Sequence, residues 1–231
     1  MKQVKEKSKP LQKSVGFYDP NLFRSKITSS TDYQGSAYDT HGNCRDDGME
    51  SENVFERLCK RKGWSCRKAN AWKNMIKHTD FDVKFDSRSS KWHRLDVKGV
   101  KRVGRYDDEK TDGFVWLEIK GPCPESQRHL NLGYNHCNDG WIYGDHAPDY
   151  IAFESLDSFA IVPTHKLRAL IEEKVDLTSS VDQSHDALYK VYDQRWGQNR
   201  KTGERVFRWE KTTLVRKEDV LPLAEYIVEK N

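Results

Sequence analysis

Two strand-like stretches carry an acid and a lysine two residues apart, Arg94-Leu-Asp-Val-Lys98 and Trp116-Leu-Glu-Ile-Lys120. Strand side chains alternate faces with a period of two, so each acid projects beside its lysine. Leu95, Val97, Leu117 and Ile119 then point the other way, into a core. Asp and Lys are depleted in strands, so an acid-x-Lys pair between apolar neighbours implies that something uses it. A third stretch, Asp80-Phe-Asp-Val-Lys-Phe85, alternates in the same way, with Phe81, Val83 and Phe85 inward.

A turn over 86–90 between the first two strands in chain order sets Asp80 opposite Asp96, and a turn over 104–113 sets Glu118 opposite Asp96 as well. Opposed residues on antiparallel strands have Cβ atoms ~5 Å apart. Asp80, Asp96 and Glu118 would then form a row across one sheet face, with Lys98 and Lys120 one step along. Like charges opposed in this way destabilise a sheet, so the row calls for a cation. Hard divalent ions such as Mg²⁺, with Mn²⁺ as a substitute, take carboxylate, water and phosphate oxygens. The expected chemistry is metal-dependent phosphodiester cleavage. The bland alternative is a solvated face of cross-strand ion pairs, but acids opposing acids favour the metal.

The elements around these strands follow from periodicity. A helix is predicted over 49–62, stopped by Gly63, with Val54, Phe55, Leu58 and Cys59 as its core stripe. A short strand over 64–69 leads into the three charged-face strands. Extended text follows over 140–144, 149–153 and 159–162, then a helix over 164–174 capped by Thr164. A hairpin of 188–196 and 205–215 and a last helix over 219–230 complete the chain, with Leu221, Leu223 and Ile227 packing back. Residues 1–47, with Lys2, Lys5, Lys7, Lys9 and Lys13, read as a flexible basic and polar arm.

Composition limits the function classes. The chain has 231 residues, 33% charged and 35% apolar, with seven Trp, ten Tyr and nine Phe, which argues for a packed core. A formal charge of +4 gives no strong nucleic-acid signal by itself, but its distribution does. Between Arg195 and Lys217 eight Arg and Lys face two acids, interleaved with Trp196, Phe207 and Trp209. Such text suits phosphate contact with base stacking, and Arg205, Arg208 and Trp209 are the candidates. An ordinary solvated hairpin is the alternative. No apolar run of 18 residues occurs and the lysine-rich start lacks an apolar core, so neither a membrane span nor a secretory signal is expected. Five cysteines, an odd number, fit a reducing cytoplasm. Cys123, His129, His136 and Cys137 lie close in sequence, but adjacent His-Cys ligands suit one tetrahedral zinc poorly, and an incidental loop is preferred.

A helix carrying Glu52, a short strand, His78-Thr-Asp80 and then Asp96-x-Lys98 stand in the order found in the PD-(D/E)xK nucleases. The stretch 48–102 resembles archaeal-type Holliday junction resolvases in particular, without the usual Pro before Asp80 and with Asp96 where Glu is commoner. The texts Lys98-Gly-Val-Lys-Arg102, Gly140-Trp-Ile-Tyr-Gly144 and Asp149-Tyr-Ile-Ala-Phe-Glu154 also look like small phage-encoded proteins of this superfamily. The resemblance spans about 48–170.

It implies an α/β fold with a restriction-endonuclease-like core over 48–174, a mixed and mostly antiparallel sheet between helices. A C-terminal β-hairpin and helix over 175–231 lie outside it. It also implies a Mg²⁺-dependent endonuclease, acting on DNA sooner than RNA, in the cytoplasm of a cell or of a phage host, with a homodimer as the related resolvases form. Asp80 and Asp96, with Glu118, would hold the metal, and Lys98 would orient the attacking water. Glu52 would hold a metal-bound water, and Lys101 or Arg102 would contact a flanking phosphate. Asp96 with Glu118-x-Lys120 is the second register; the elements before Asp80 favour the first. Two other functions stand beside the enzyme. One is an inactive nuclease core that binds nucleic acid through its hairpin, and the other is a protein-interaction factor of phage type anchored by exposed tryptophans.

Overall fold

Leu58, Cys59 and Phe55 lie on one stripe of a helix, and that stripe is where the fold begins. The computed structural model describes residues 43–70, 73–74, 77–101, 112–124, 140–144, 146–198 and 205–231, without the side chains of 43–46, 121–124, 194–198 and 205–209. Helix α1 spans Asn43–Arg61. It ends as expected at Gly63, whose φ of 71° is a left-handed conformation that glycine adopts without strain. Gly63 N donates to Lys60 O and Trp64 N to Cys59 O, the paired bonds of a Schellman stop.

Ten strands are named among the described residues: β1 (Ser65–Lys68), β2 (Phe81–Lys84), β3 (His93–Lys98), β4 (Phe114–Pro124), β5 (Tyr150–Glu154), β6 (Ser158–Pro163), β7 (Asp176–Val181), β8 (Lys190–Gln198), β9 (Arg205–Arg216) and β10 (Tyr226–Glu229). Helix α2 spans Thr164–Lys174, and a short turn of helix, α3, spans Lys217–Val220. The strands make two sheets, in the orders β1-β2-β3-β5-β6-β10 and β4-β9-β8-β7. In the first, β3 and β5 run parallel and all other neighbours antiparallel. The chain is therefore mixed α/β, with a six-stranded sheet that is mostly antiparallel, as expected.

Each face of that sheet has its own core. Phe81, Val83, Leu95, Val97, Ala152 and Ile161 pack with Phe55, Leu58 and Cys59 of α1. On the opposite face Ile151, Phe153 and Val162 pack with Leu167, Leu170 and Ile171 of α2 and with Val115, Leu117 and Ile119 of β4. Alternation along the strands produces both cores, because one residue in two faces each way.

Four expectations are corrected. Strand β4 does not pair with β3; its partner is β9, from Phe114↔Arg216 to Pro124↔Arg208, and β5 takes the place beside β3. The residues of 140–144 turn instead of extending: Tyr143 N and Gly144 N both donate to Gly140 O. Thr164 does not cap α2; Pro163 holds the cap position, and the Thr164 hydroxyl donates to Pro148 O at 2.6 Å. The last helix is absent. Helix α3 and a 3₁₀ turn at Leu221–Leu223 end it, and Tyr226-Ile-Val-Glu229 forms β10 on the free edge of β6. Ile227 is 54% exposed and Val228 1%, the alternation of a strand with one face buried. The expected hairpin does form, from β8 and β9. The expected arm lies almost wholly outside the described residues.

Candidate active site

Strand β3 sits inside the six-stranded sheet, between β2 and β5. Its apolar residues Leu95 and Val97 are fixed against the α1 core, which leaves Asp96 and Lys98 on the face toward the second sheet. Asp96 is 4% exposed, and its Oδ2 lies 2.6 Å from Lys98 Nζ. Lys98 in turn sits over the ring of buried Trp141, 5.0 Å from its centroid.

The β2–β3 register runs Phe81↔Leu95 and Asp82↔Arg94. One more step brings Asp80 opposite Asp96, the expected placement, and Asp80 N donates to Leu95 O across that step. The Asp80 carboxylate, 6% exposed, accepts from Val97 N at 2.7 Å and from Asn74 Nδ2. Two carboxylates therefore share one buried corner. Burial pushes the Asp80 carboxyl well above the usual range, and the charges of Asp96 and Glu52 push the same way; Lys98 and the Val97 N–H only partly oppose them. For Lys98, burial pulls the ammonium down, but Asp96, Asp80 and Glu118 outweigh it and leave the group above its ordinary value.

Glu52 reaches this corner from α1 and pairs with Lys68 at 3.0 Å. Glu118 does not extend the Asp80–Asp96 row, contrary to expectation, because β4 pairs with β9 and not with β3. It approaches from the second sheet, because β5 occupies the edge of β3 that β4 would have needed. Its electrostatic pull on Lys98 still makes it a neighbour of the site. Gly140 packs on the β4 backbone there: a Cβ at this position would lie 2.7 Å from the Glu118 carbonyl carbon and 2.8 Å from that of Ile119. The close approach sets the turn that carries Trp141 beneath Lys98. Lys120 of the second register is paired with Lys211 of β9.

Three contributors were not singled out by sequence reasoning. Asn74 and Trp141 had no signal beyond their residue types. His78 stood in the His-x-Asp text, and its φ of 42° is unusual for a residue with a Cβ. Burial holds its ring toward the neutral form, Lys98 adds to that, and Asp96 opposes. Lys101 is described and exposed. Arg102 and the side chains of Arg205, Arg208 and Trp209 lie outside the described residues, although the β9 backbone sets Trp209 opposite Cys123 and Arg208 opposite Pro124. The candidate zinc ligands His129, His136 and Cys137 also lie outside them, as does the Cys123 side chain. Among the described residues no group of three or more His, Cys, Asp or Glu is gathered tightly enough to hold a metal. The Asp80–Asp96 pair is what the corner offers a cation. Crowded, buried, like-charged oxygens are the donor type that Mg²⁺ takes, and one or two carboxylates with waters and phosphate suffice for it.

No family model, curated protein or solved structure matches this chain. No helix among the described residues is long and apolar enough to cross a membrane.

Proposed function

We propose that this chain is a Mg²⁺-dependent endonuclease that hydrolyses phosphodiester bonds, DNA before RNA, on a restriction-endonuclease-like core. The supporting observation is the corner itself: Asp80 opposite Asp96, with Lys98 Nζ 2.6 Å from Asp96 Oδ2. Asp80 and Asp96 would hold the ion, with Glu52 and Glu118 around them. Bound Mg²⁺ supplies Lewis-acid polarisation of the phosphoryl oxygen and a more acidic water. Lys98 positions the attacking water and offsets charge developing on the phosphate, a role suited to an ammonium that its neighbours keep protonated. The Val97 N–H fixes the Asp80 carboxylate on β3, so both acids ride on one rigid strand pair.

The test is cleavage of supercoiled plasmid, linear duplex, single strand, four-way junction and RNA, with Mg²⁺, Mn²⁺ or EDTA. Metal-dependent cutting that is lost in Asp96→Asn is the expected result. A second reading has one observation behind it: among the described residues the corner lacks a third metal ligand. A nuclease-like core that binds nucleic acid without cutting it would give salt-dependent binding and no cleavage on any substrate.

A further inference from the structure

The face that carries Asp80 and Asp96 continues along β1, β2 and β3. In register, Arg67 of β1 lies beside Asp82 of β2, and Asp82 beside Arg94 of β3. One step further from the carboxylates, the same register sets Lys84 beside Trp92. The Arg67 guanidinium carbon lies 4.0 Å from the Trp92 ring centroid, and Lys84 Nζ lies 4.8 Å from it. Two cations thus converge on one half-buried indole, and neither makes an ion pair among the described residues. The acids of this stretch are engaged elsewhere: Asp82 by Lys73 at 2.6 Å, and Asp149 by Arg94 at 3.2 Å. The second sheet packs on Ile151, Phe153 and Val162, and on this half of the face Arg67 is exposed and Lys84 and Trp92 are half-buried.

An indole holds cations through its ring face without neutralising them, so Arg67 and Lys84 keep their full charge for an anion. Strand rise of ~3.3 Å per residue puts Trp92 about 13 Å from Asp96 along β3. We propose that this half-face is the track for the sugar–phosphate backbone of the nucleic-acid substrate, with Arg67 and Lys84, steadied on Trp92, receiving phosphates about 13 Å from the scissile one. The inference rests on the nuclease reading for its scissile end. Its own content is the direction in which the strand leaves the corner and the residues that meet it.

The test uses the full chain carrying Asp96→Asn, so that binding is read without cutting. Anisotropy of a fluorescein-labelled short duplex DNA in EDTA is followed from about 50 to 200 mM salt. Adding Arg67→Ala and Lys84→Ala should weaken binding at least tenfold near 0.1 M salt and lower the slope of log K against log salt by about 2. Arg67→Lys with Lys84→Arg should restore both, and Lys190→Ala on the second sheet should change neither. Unchanged binding in the double alanine variant overturns the track, as does weakened binding with an unchanged slope, or a parent that binds no duplex. Wild-type cleavage is scored separately. Cutting that persists beside unchanged binding removes the track alone. No cutting beside the expected slope change removes the nuclease reading and leaves the track.

Discussion

Asp80→Asn should make the protein more stable and inactive at the same time. Asp80 and Asp96 face each other at a Cβ separation of ~5 Å, and at an effective dielectric near 20 two unit charges repel there by about 3 kcal/mol. Lys98 returns part of that through its attraction to both acids. Asparagine keeps an acceptor for the Val97 N–H, and the Asn74 amide can flip to present its oxygen to the new NH₂ group. The net gain expected is ~1–2 kcal/mol at pH 8, or about 3–6 °C in Tm for a chain of this size. The size of the gain depends on pH. The folded Asp80 carboxyl sits above its unfolded value, so the native state holds its proton longer and stability falls as pH rises through that interval. Below the ordinary carboxylate range both states are protonated and the gain should vanish. Thermal melts of wild type and variant from pH 4 to 8, without divalent metal, measure it. A variant less stable by 1 kcal/mol or more at pH 8, or a difference independent of pH, refutes the repulsion.

Gly140→Ala should cost about 2–3 kcal/mol, because its Cβ would press on the backbone of Glu118 and Ile119, and neither carbonyl carbon can rotate away. Cleavage should fall with it as Trp141 and Glu118 move, which melts and initial rates on one preparation will read. Lys217→Met tests the junction of the sheets. Lys217 is 6% exposed, pairs with Asp112 and donates to Glu154 O at 3.0 Å, so its removal should cost ~1–3 kcal/mol in denaturant unfolding; Asp112→Leu in the same chain should recover part of it.

The strand alternation and the β2–β3 hairpin were legible because both are local. Asp80 meets Asp96 through a turn of a few residues, and a hairpin register is fixed by its loop and by which residues are apolar. Glu118 was misplaced because the identity of a strand's neighbour is not local. The text of β4 resembles that of β3, but β5 and β3 are the pair that forms, and nothing in 104–113 announces that the chain changes sheets. The last helix failed for a related reason. Leu221, Leu223 and Ile227 fit a helical stripe on paper, yet β6 presents an open edge, and Tyr226-Ile-Val-Glu229 has the residue types to fill it. Asn74 and Trp141 came to the corner through tertiary packing alone.

The corner's charge balance ties its chemistry to its burial. Among the described residues Glu52 pairs with Lys68 and Asp96 with Lys98, while no ion pair joins a cation to Asp80. Its donors among the described residues are Val97 N and Asn74 Nδ2, neutral groups that stabilise the carboxylate without balancing its charge. A buried carboxyl in that position has two ways to be neutralised, by a proton or by a metal ion. The raised carboxyl favours the proton at low pH; on the proposed reading, a divalent ion held by Asp80 and Asp96 would have to displace it. A surface pair of the same residues would carry no such competition, because water would solvate both acids. On the proposed reading, the repulsion between Asp80 and Asp96 would be stability the fold gives up to hold a cation.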